Sequence, residues 1–556
     1  MSNNIVTVNV SQTQAPTASK LQRNGAFVSQ GATNLSAGAS ALLVGLSSLT
    51  TLLNGASAIT SLTPSVTSSG GDVFSIVTAV TTSGHGYTTG EVILLTIAGA
   101  SPASANGTFQ CTITGSTGFT YLGGPGTGSI TGTIVYTAED VGELLADVTT
   151  FFAQGATVPV SVLELGKGNA TDGATYLTAW LTANPGVFYG FFVPEAWDGN
   201  STFLTLIASY EGLSAKTYFW VTTTLQNYAL YTALMKDVVA MVEAPAYGTW
   251  AANAITAAVW YSASNEIVFT TTTAHGVVAG QWFQISGMTP STYNGWFLAD
   301  ADTGVSALRT LVYTNPGSET VLGTLVASTY ASTGAPATEQ SLAAAFFTTL
   351  NYNPSGTNKV TPLAFSYQYG VTPFPPAGNA SLLATFKSIG TNFIDTGSEG
   401  GISNTILKWG TTMDTRPFNY WYSVDWAQIN CQLALANEII NGSNNPINPL
   451  DLNQDGINRL QARLADTMGQ AVTYGLALGN IIQTELDGPV FAQNLEAGLY
   501  AGNVVVNAIP FVNYYSPTEN PNDYKIGTYN GLSVVYTPLR GFEDVTINLN
   551  ITDFVA

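Results

Sequence analysis

The sequence predicts an α/β plus α+β protein, in which an α/β core carries two inserted, homologous small antiparallel β-domains and a lone strand arm extends at each end. Three observations point there. One module occurs twice, the chain around it alternates strand-like and helix-like runs, and both ends alternate apolar with polar residues.

The repeat is read from Thr81–Gln110 and Thr271–Leu298. His85-Gly86 matches His275-Gly276, Gly90 matches Gly280, Gly99 matches Gly287 and Pro102 matches Pro290. Asn106-Gly107 and Phe109 find counterparts in Asn294-Gly295 and Phe297, and downstream Tyr121, Pro125-Gly126 and Gly132-Thr133 answer to Tyr313, Pro316-Gly317 and Gly323-Thr324. Val-, Ile-, Phe- and Thr-rich runs punctuated by His-Gly, Asn-Gly and Pro-Gly suit tight antiparallel hairpins, because glycine supplies the positive φ these turns need. The modules are placed at 65–136 and 257–328.

With the modules removed, the flanking chain reads βαβα. Ala41–Gly45 is a short buried strand, and Thr137-Ala138-Glu139-Asp140 has the form of a capping box. The helix after it carries Val141, Leu144, Leu145, Val148, Phe151 and Phe152 and stops at Gly155. Val158–Leu165, Val187–Val193 and Thr217–Val221 read as strands; a stretch from about Gly173 to Asn184, Phe203–Tyr210 and Tyr228–Met241 read as helices. This order predicts a mainly parallel sheet over 21–64 and 137–256 with helices on its faces.

Beyond 329 the character changes, and 329–540 is expected to form a C-terminal α+β domain that also supplies parts of the core. Glu339–Leu350 is helical, Pro362–Tyr369 extended, and Val371–Ala377 a connection. Two strong helices follow. The first is capped by Asp425 and shows Ile429, Leu433, Ala436 and Ile440 on one face; the second starts near Gly456 with the stripe Ile457, Leu460, Leu464, Met468 and Val472. A tail of strands rich in Val, Tyr and Asn closes the chain.

Composition narrows function. Of 556 residues only 9% are charged, against roughly 25% in an average soluble protein, while 45% are hydrophobic and 11% aromatic. Charge depletion with aromatic enrichment is what interface cores show, so a subunit covered by copies of itself fits this surface. Fourteen Lys and Arg against 34 Asp and Glu give a net charge of −20, which disfavours direct nucleic-acid binding. The N-terminus lacks a basic and an apolar region of secretory type, and Ala41–Leu53 is too short and too interrupted to span a bilayer, so cytoplasmic assembly without membrane insertion is expected.

No motif marks catalysis, a cofactor or a metal. Cys111 and Cys431 lie far apart, and Cys111 aligns with Ala299 in the second module. The only histidines, His85 and His275, occupy one module position with no acidic residue or cysteine shared between the copies nearby, which favours a turn over acid–base or metal chemistry. Asp451-Leu452-Asn453-Gln454-Asp455-Gly456 matches the first half of a calcium loop, but Arg459 and Ala462 stand at the ninth and twelfth positions, so Asn453 or Asp455 reads instead as a helix cap. Gly124-Pro125-Gly126-Thr127-Gly128 lies between strands, where a phosphate loop does not belong.

The ends carry the sharpest pattern. Val6, Val8 and Val10 alternate with Thr7, Asn9 and Ser11; Val545, Ile547, Leu549 and Ile551 alternate with Thr546, Asn548, Asn550 and Thr552. Each is a strand. Alternation leaves open whether its partner lies in the same chain or in another. The arms are placed at 1–20 and 541–556.

The stretches ISNTILKWGTTMD, FNYWYSVDWAQINCQLALANEI, NPINPLDLNQDGINRLQARLADTMGQAV and FEDVTINLNITDFV, with TPLAFSYQYGVTP and ASALLVG upstream, resemble contractile phage tail sheath proteins. The resemblance covers most of the chain outside the duplicated modules, which depart from the minimal pattern. It implies an α/β sheath core, a homo-oligomer of stacked, hexameric rings, and a place in the virion tail. The inner tail tube protein and the baseplate and tail terminator proteins would be its partners. It also implies that the arms add strands to neighbouring subunits, and that the helices bearing Ile429, Leu433, Ile440, Leu460 and Leu464 face the tube. A sheath from a phage-derived injection machine would read the same. A tail spike or adhesin acting on surface glycans is the alternative, though no short β-helix repeat is present.

Overall fold

A computed structural model describes residues 21–542 except 70–71, 123–127, 156–157, 212–215, 226, 232–234, 244–249, 263–265, 278–281, 301–302, 313–314, 328–339, 375–379 and 398–403. Both expected end strands, with Val6, Val8, Val10, Val545, Ile547, Leu549 and Ile551, lie outside the described residues.

A six-stranded sheet organises the first half, in the order Val238–Val242, Tyr218–Thr223, Gly190–Phe192, Gly25–Ser29, Val160–Glu164, Ser40–Leu43. Five strands are parallel and the last runs antiparallel. Parallel strands covered on both faces read as unbroken apolar runs, and alternate residues here feed two cores. Phe27, Val162, Phe192 and Trp220 pack toward the helices Glu139–Ala153 and Ser341–Leu350. Their neighbours Val28, Leu163, Phe191 and Phe219 pack toward Ala170–Ala183 and Ser201–Tyr210. A Cβ on Gly25 or Gly190 would come within 2.6 or 2.8 Å of the Phe346 ring. Only a bare backbone lets that ring lie on the sheet.

Three expectations fail in this half. Tyr228–Met241 is not a helix: the run Val238–Val242 is a fully buried strand beside Tyr218–Thr223, preceded by a short 3-10 turn at Tyr228–Leu230. A short apolar run buried on both faces carries no period to separate strand from helix. The capping box is absent, because Thr137 and Ala138 still pair with Thr96 and Leu95 and the helix starts with no side-chain cap. Ser40–Leu43 is an edge strand in which Leu43 alone is buried, while Leu42 is exposed.

The strands Ser57–Ser69, Asp72–Thr81, Gly118–Leu122, Gly107–Gly115, Val92–Ser101 and Thr131–Ala138 close an antiparallel barrel in that order. Pairing starts at Ser57, ahead of the boundary expected at 65. The strands Asn253–Tyr261, Glu266–Thr271, Ala307–Leu311, Gly295–Leu298, Trp282–Ser286 and Thr324–Leu325 follow the same circular order, but among the described residues the third and fourth do not pair with each other as strands and leave a seam. Across it Asp300 N–H donates to Arg309 O at 2.8 Å. The two units share local devices. Asn106 accepts from Ala100 N–H and donates to Ala100 O, both at 2.7 Å; Asn294 does the same to Met288, at 2.7 and 2.8 Å. Gly99 has φ +79°, and a Cβ there would sit 2.1 Å from Thr133 O.

In the C-terminal half, Phe418–Ser443 and Gln454–Thr473 pack side by side, and the second also packs on a sheet ordered Ile481–Thr484, Val504–Ala508, Leu532–Val535. The closing region is not strands alone, since the helix Gly488–Glu496 lies within it. The expected extended run Pro362–Tyr369 makes one isolated bridge, Tyr367 with Ile406.

Candidate assembly surfaces

Two buried carboxylates hold the framework from which the outer surfaces project. Glu164 ends a core strand and is 1% exposed. Its Oε1 accepts from the backbone N–H of Gly31 and Gly166, each at 2.7 Å. Its Oε2 accepts from Thr33 N–H at 3.1 Å and from the hydroxyls of Ser29 and Thr33 at 2.7 Å. This nest fixes the chain's turn out of Gly25–Ser29.

Asp425 fastens the long helix to the core sheet. It accepts from the Tyr189 and Tyr218 hydroxyls at 2.9 Å each and lies 3.5 Å from Lys216 Nζ. Burial raises its pKa against the opposing pull of Lys216 and the two hydroxyls. It is therefore not the helix cap; the helix begins at Phe418 after Pro417, and Asp425 sits inside it. Trp426 and Tyr422 bury the same end of the helix, whereas the far end emerges: Ile440 is exposed, and Ile447 beyond the helix is 94% exposed.

The paired helix is held across the exposed end by Glu438, which accepts from Arg459 at 2.6 Å and Arg463 at 2.9 Å. Ile429, Leu433 and Leu460 are half-buried. Leu464 is buried against Val506, Leu532 and Val534 of its own chain and is not presented outward, and Met468 and Val472 of the same stripe pack into the main core with Tyr422 and Trp426. A polar groove of about 270 Å³ between the helices is lined by Asn430, Leu433, Asn437, Arg463 and Asp466 among others.

The calcium-like segment is a helix start. Asn453 Oδ1 accepts Gly456 N–H at 2.8 Å, and a Cβ at position 456 would meet Asp451 O at 2.0 Å, which accounts for the Asn and the Gly. Among the described residues no group of three or more His, Cys, Asp or Glu is arranged to hold a metal ion. His85 and His275 are buried, and each Nδ1 accepts the N–H two residues on, at 3.2 and 3.0 Å. The positive φ belongs to Gly86 and Gly276. Lys167 Nζ donates to His85 O at 2.6 Å, tying the first barrel to the core. Burial pushes the Cys111 thiol well up and the Cys431 thiol to about 11, so neither is poised as a nucleophile. Most of Gly124–Gly128 lies outside the described residues; its counterpart is a turn in which Asn315 Oδ1 accepts Gly317 N–H at 2.9 Å.

Outward apolar side chains crowd the C-terminal region. Leu499, Val512 and Ile526 are exposed, and Phe542 is 81% exposed at the end of the described chain. In the same region, among the described residues, the three-stranded sheet has Ile481–Thr484 and Leu532–Val535 as its outer strands, with no further strand paired to either. No helix among the described residues is long and apolar enough to cross a membrane.

No protein-family model and no curated protein matches the sequence. Among solved structures, the chain is similar to one in the anti-feeding prophage baseplate, solved by cryo-electron microscopy with six-fold symmetrisation: TM-score 0.40, 9% identity, 73% of this chain and 80% of that chain covered. It is also similar to the sheath tail protein from Listeria innocua: TM-score 0.35, 7% identity, 83% of this chain and 90% of that chain covered.

Proposed function

We propose that the chain is the structural subunit of a contractile tail sheath, polymerising helically around an inner tube and contracting to drive that tube through a host envelope. The observation that carries the reading is the C-terminal sheet. Among the described residues both of its outer strands lack a further partner, the surrounding sequence carries exposed apolar side chains, and the chain continues from Leu532–Val535 toward the alternating residues Val545, Ile547, Leu549 and Ile551. An open edge is a template for another chain's strand. Arms 1–20 and 541–556 would join such edges in neighbouring copies. The main-chain hydrogen bonds then tether subunits while their bodies slide into a tighter packing, and a heterologous, non-closing contact of this kind builds a helical tube. The α/β body of 21–64 and 137–256 and the region 329–540 would form the lattice, with the β units outward and the free end of the helix pair toward the tube.

Deleting residues 541–556 tests the arms. The truncated chain is expected to stay folded, with an unchanged circular dichroism spectrum, and to sediment as a monomer. Tubes formed by the truncated chain would refute the assignment.

A further inference from the structure

The only two histidines of the chain sit in the same device in both β units. In the first, Thr81 N–H donates to Thr117 O at 2.8 Å and His85 N–H to Ser116 O at 3.1 Å. In the second, Thr271 N–H donates to Ser306 O at 2.9 Å and His275 N–H to Val305 O at 3.1 Å. The hydroxyls repeat the pattern, Thr81 Oγ1 donating to Ser83 O and Thr271 Oγ1 to Thr273 O, each at 2.7 Å. These bonds lay the loop that follows one strand, Asp72–Thr81 or Glu266–Thr271, on the segment that enters another, Gly118–Leu122 or Ala307–Leu311.

The ring locks each loop from inside. His85 is 1% and His275 3% exposed, and Nδ1 accepts Tyr87 N–H at 3.2 Å in one copy and Val277 N–H at 3.0 Å in the other. An accepting Nδ1 carries no proton, so the neutral ring holds its hydrogen on Nε2. Among the described residues Nε2 has no hydrogen-bond partner in either copy. A second proton on Nδ1 would set N–H against N–H and leave a charge buried.

The surroundings of the two rings differ. In the first unit Lys167 Nζ donates to the His85 carbonyl at 2.6 Å, and the carboxyls of Asp140, Glu91 and Glu164 act on Tyr87, whose N–H the ring accepts. Charges of both signs therefore bear on that copy. Around His275 the groups that act, among the described residues, are the backbone carbonyls of Gly304 and Ala307, with no charged side chain.

We infer that His275 is an acid-released pin: its neutral ring locks the loop after Glu266–Thr271 onto the entry of Ala307–Leu311, and protonation frees the two segments from each other. Burial lowers the His275 pKa, against the opposing pull of the Gly304 and Ala307 carbonyls. The folded chain thus takes up this proton less readily than the unfolded chain. The stabilisation is complete above the unfolded value of roughly 6.5 and is lost as pH falls through the lower folded value. Acid opens the second β unit at this joint, while Gln454–Thr473, which holds no histidine, stays closed.

Hydrogen exchange of the full chain at pH 7.5 and pH 5.0, corrected for intrinsic rates, reads the joint directly. Peptides covering 271–277 and 305–311 are expected to lose protection by about fivefold at the lower pH, while 454–473 does not change. His275→Asn keeps an acceptor near the place of Nδ1 but cannot titrate, so it should hold the protection seen at pH 7.5 and abolish the dependence. Slow deuterium exchange at the ring carbon between the two nitrogens, followed against pH, reads the titration of His275 in the unaltered chain and decides alone if His275→Asn does not fold. Equal protection at both pH values, a dependence that survives in the folded variant, or a ring that titrates at or above the value of the unfolded chain overturns the pin.

Discussion

Glu164→Gln is expected to destabilise the α/β half by about 3–5 kcal/mol, although it removes no volume. The carboxylate has an acceptor at each end, and rigid backbone donors address both: Gly31 and Gly166 at Oε1, Thr33 at Oε2. A glutamine amide keeps one oxygen. If its nitrogen takes the Oε1 place, two N–H groups face a donor; if it takes the Oε2 place, Thr33 N–H does. The hydroxyls of Ser29 and Thr33 can rotate away, but the backbone donors cannot. Denaturant unfolding followed by tryptophan fluorescence reads the loss, since Trp197 and Trp220 are buried in this half. An unchanged midpoint would show that the nest does not hold the turn.

Phe346→Ala should cost a similar amount, about 3–5 kcal/mol. Its ring meets Phe27 at 5.6 Å, Phe192 at 5.8 Å and Trp220 at 5.2 Å between centroids, and it lies on the two glycines of the sheet. The glycines make relaxation difficult, because their backbone has no side chain to move into the space. Phe346→Leu should recover more than half the loss in the same unfolding experiment. Phe542→Ala, at an exposed position, should shift stability by no more than about 0.5 kcal/mol, and serves as the control. A Phe346→Ala cost no larger than the control's would contradict the packing.

The order of elements in the core was legible because strands and helices there differ in period and because Asn, Gly and Pro punctuate them. Asn169 and Asn200 cap their helices, though neither was expected as a cap from the sequence. Val238–Val242 was not legible, since five apolar residues buried on both sides carry no period. Asp425 looked like a helix cap because acids favour that place, whereas two tyrosines distant in sequence give it a buried role. The partners of Glu164 were hidden for the same reason: they come from other segments, and only the fold brings them together. A signal for Glu164 did exist, as an acid closing an otherwise apolar core strand. In the duplicated module, Asn106 and Asn294 stood out by position alone, and the shared Asn latch gives their repetition a physical cause.

Assembly is the centre of the account, and negative-stain electron microscopy of the purified full-length chain tests it most directly. Long hollow tubes built of stacked rings are predicted. A field of discrete trimers, as a spike or adhesin would give, would contradict it.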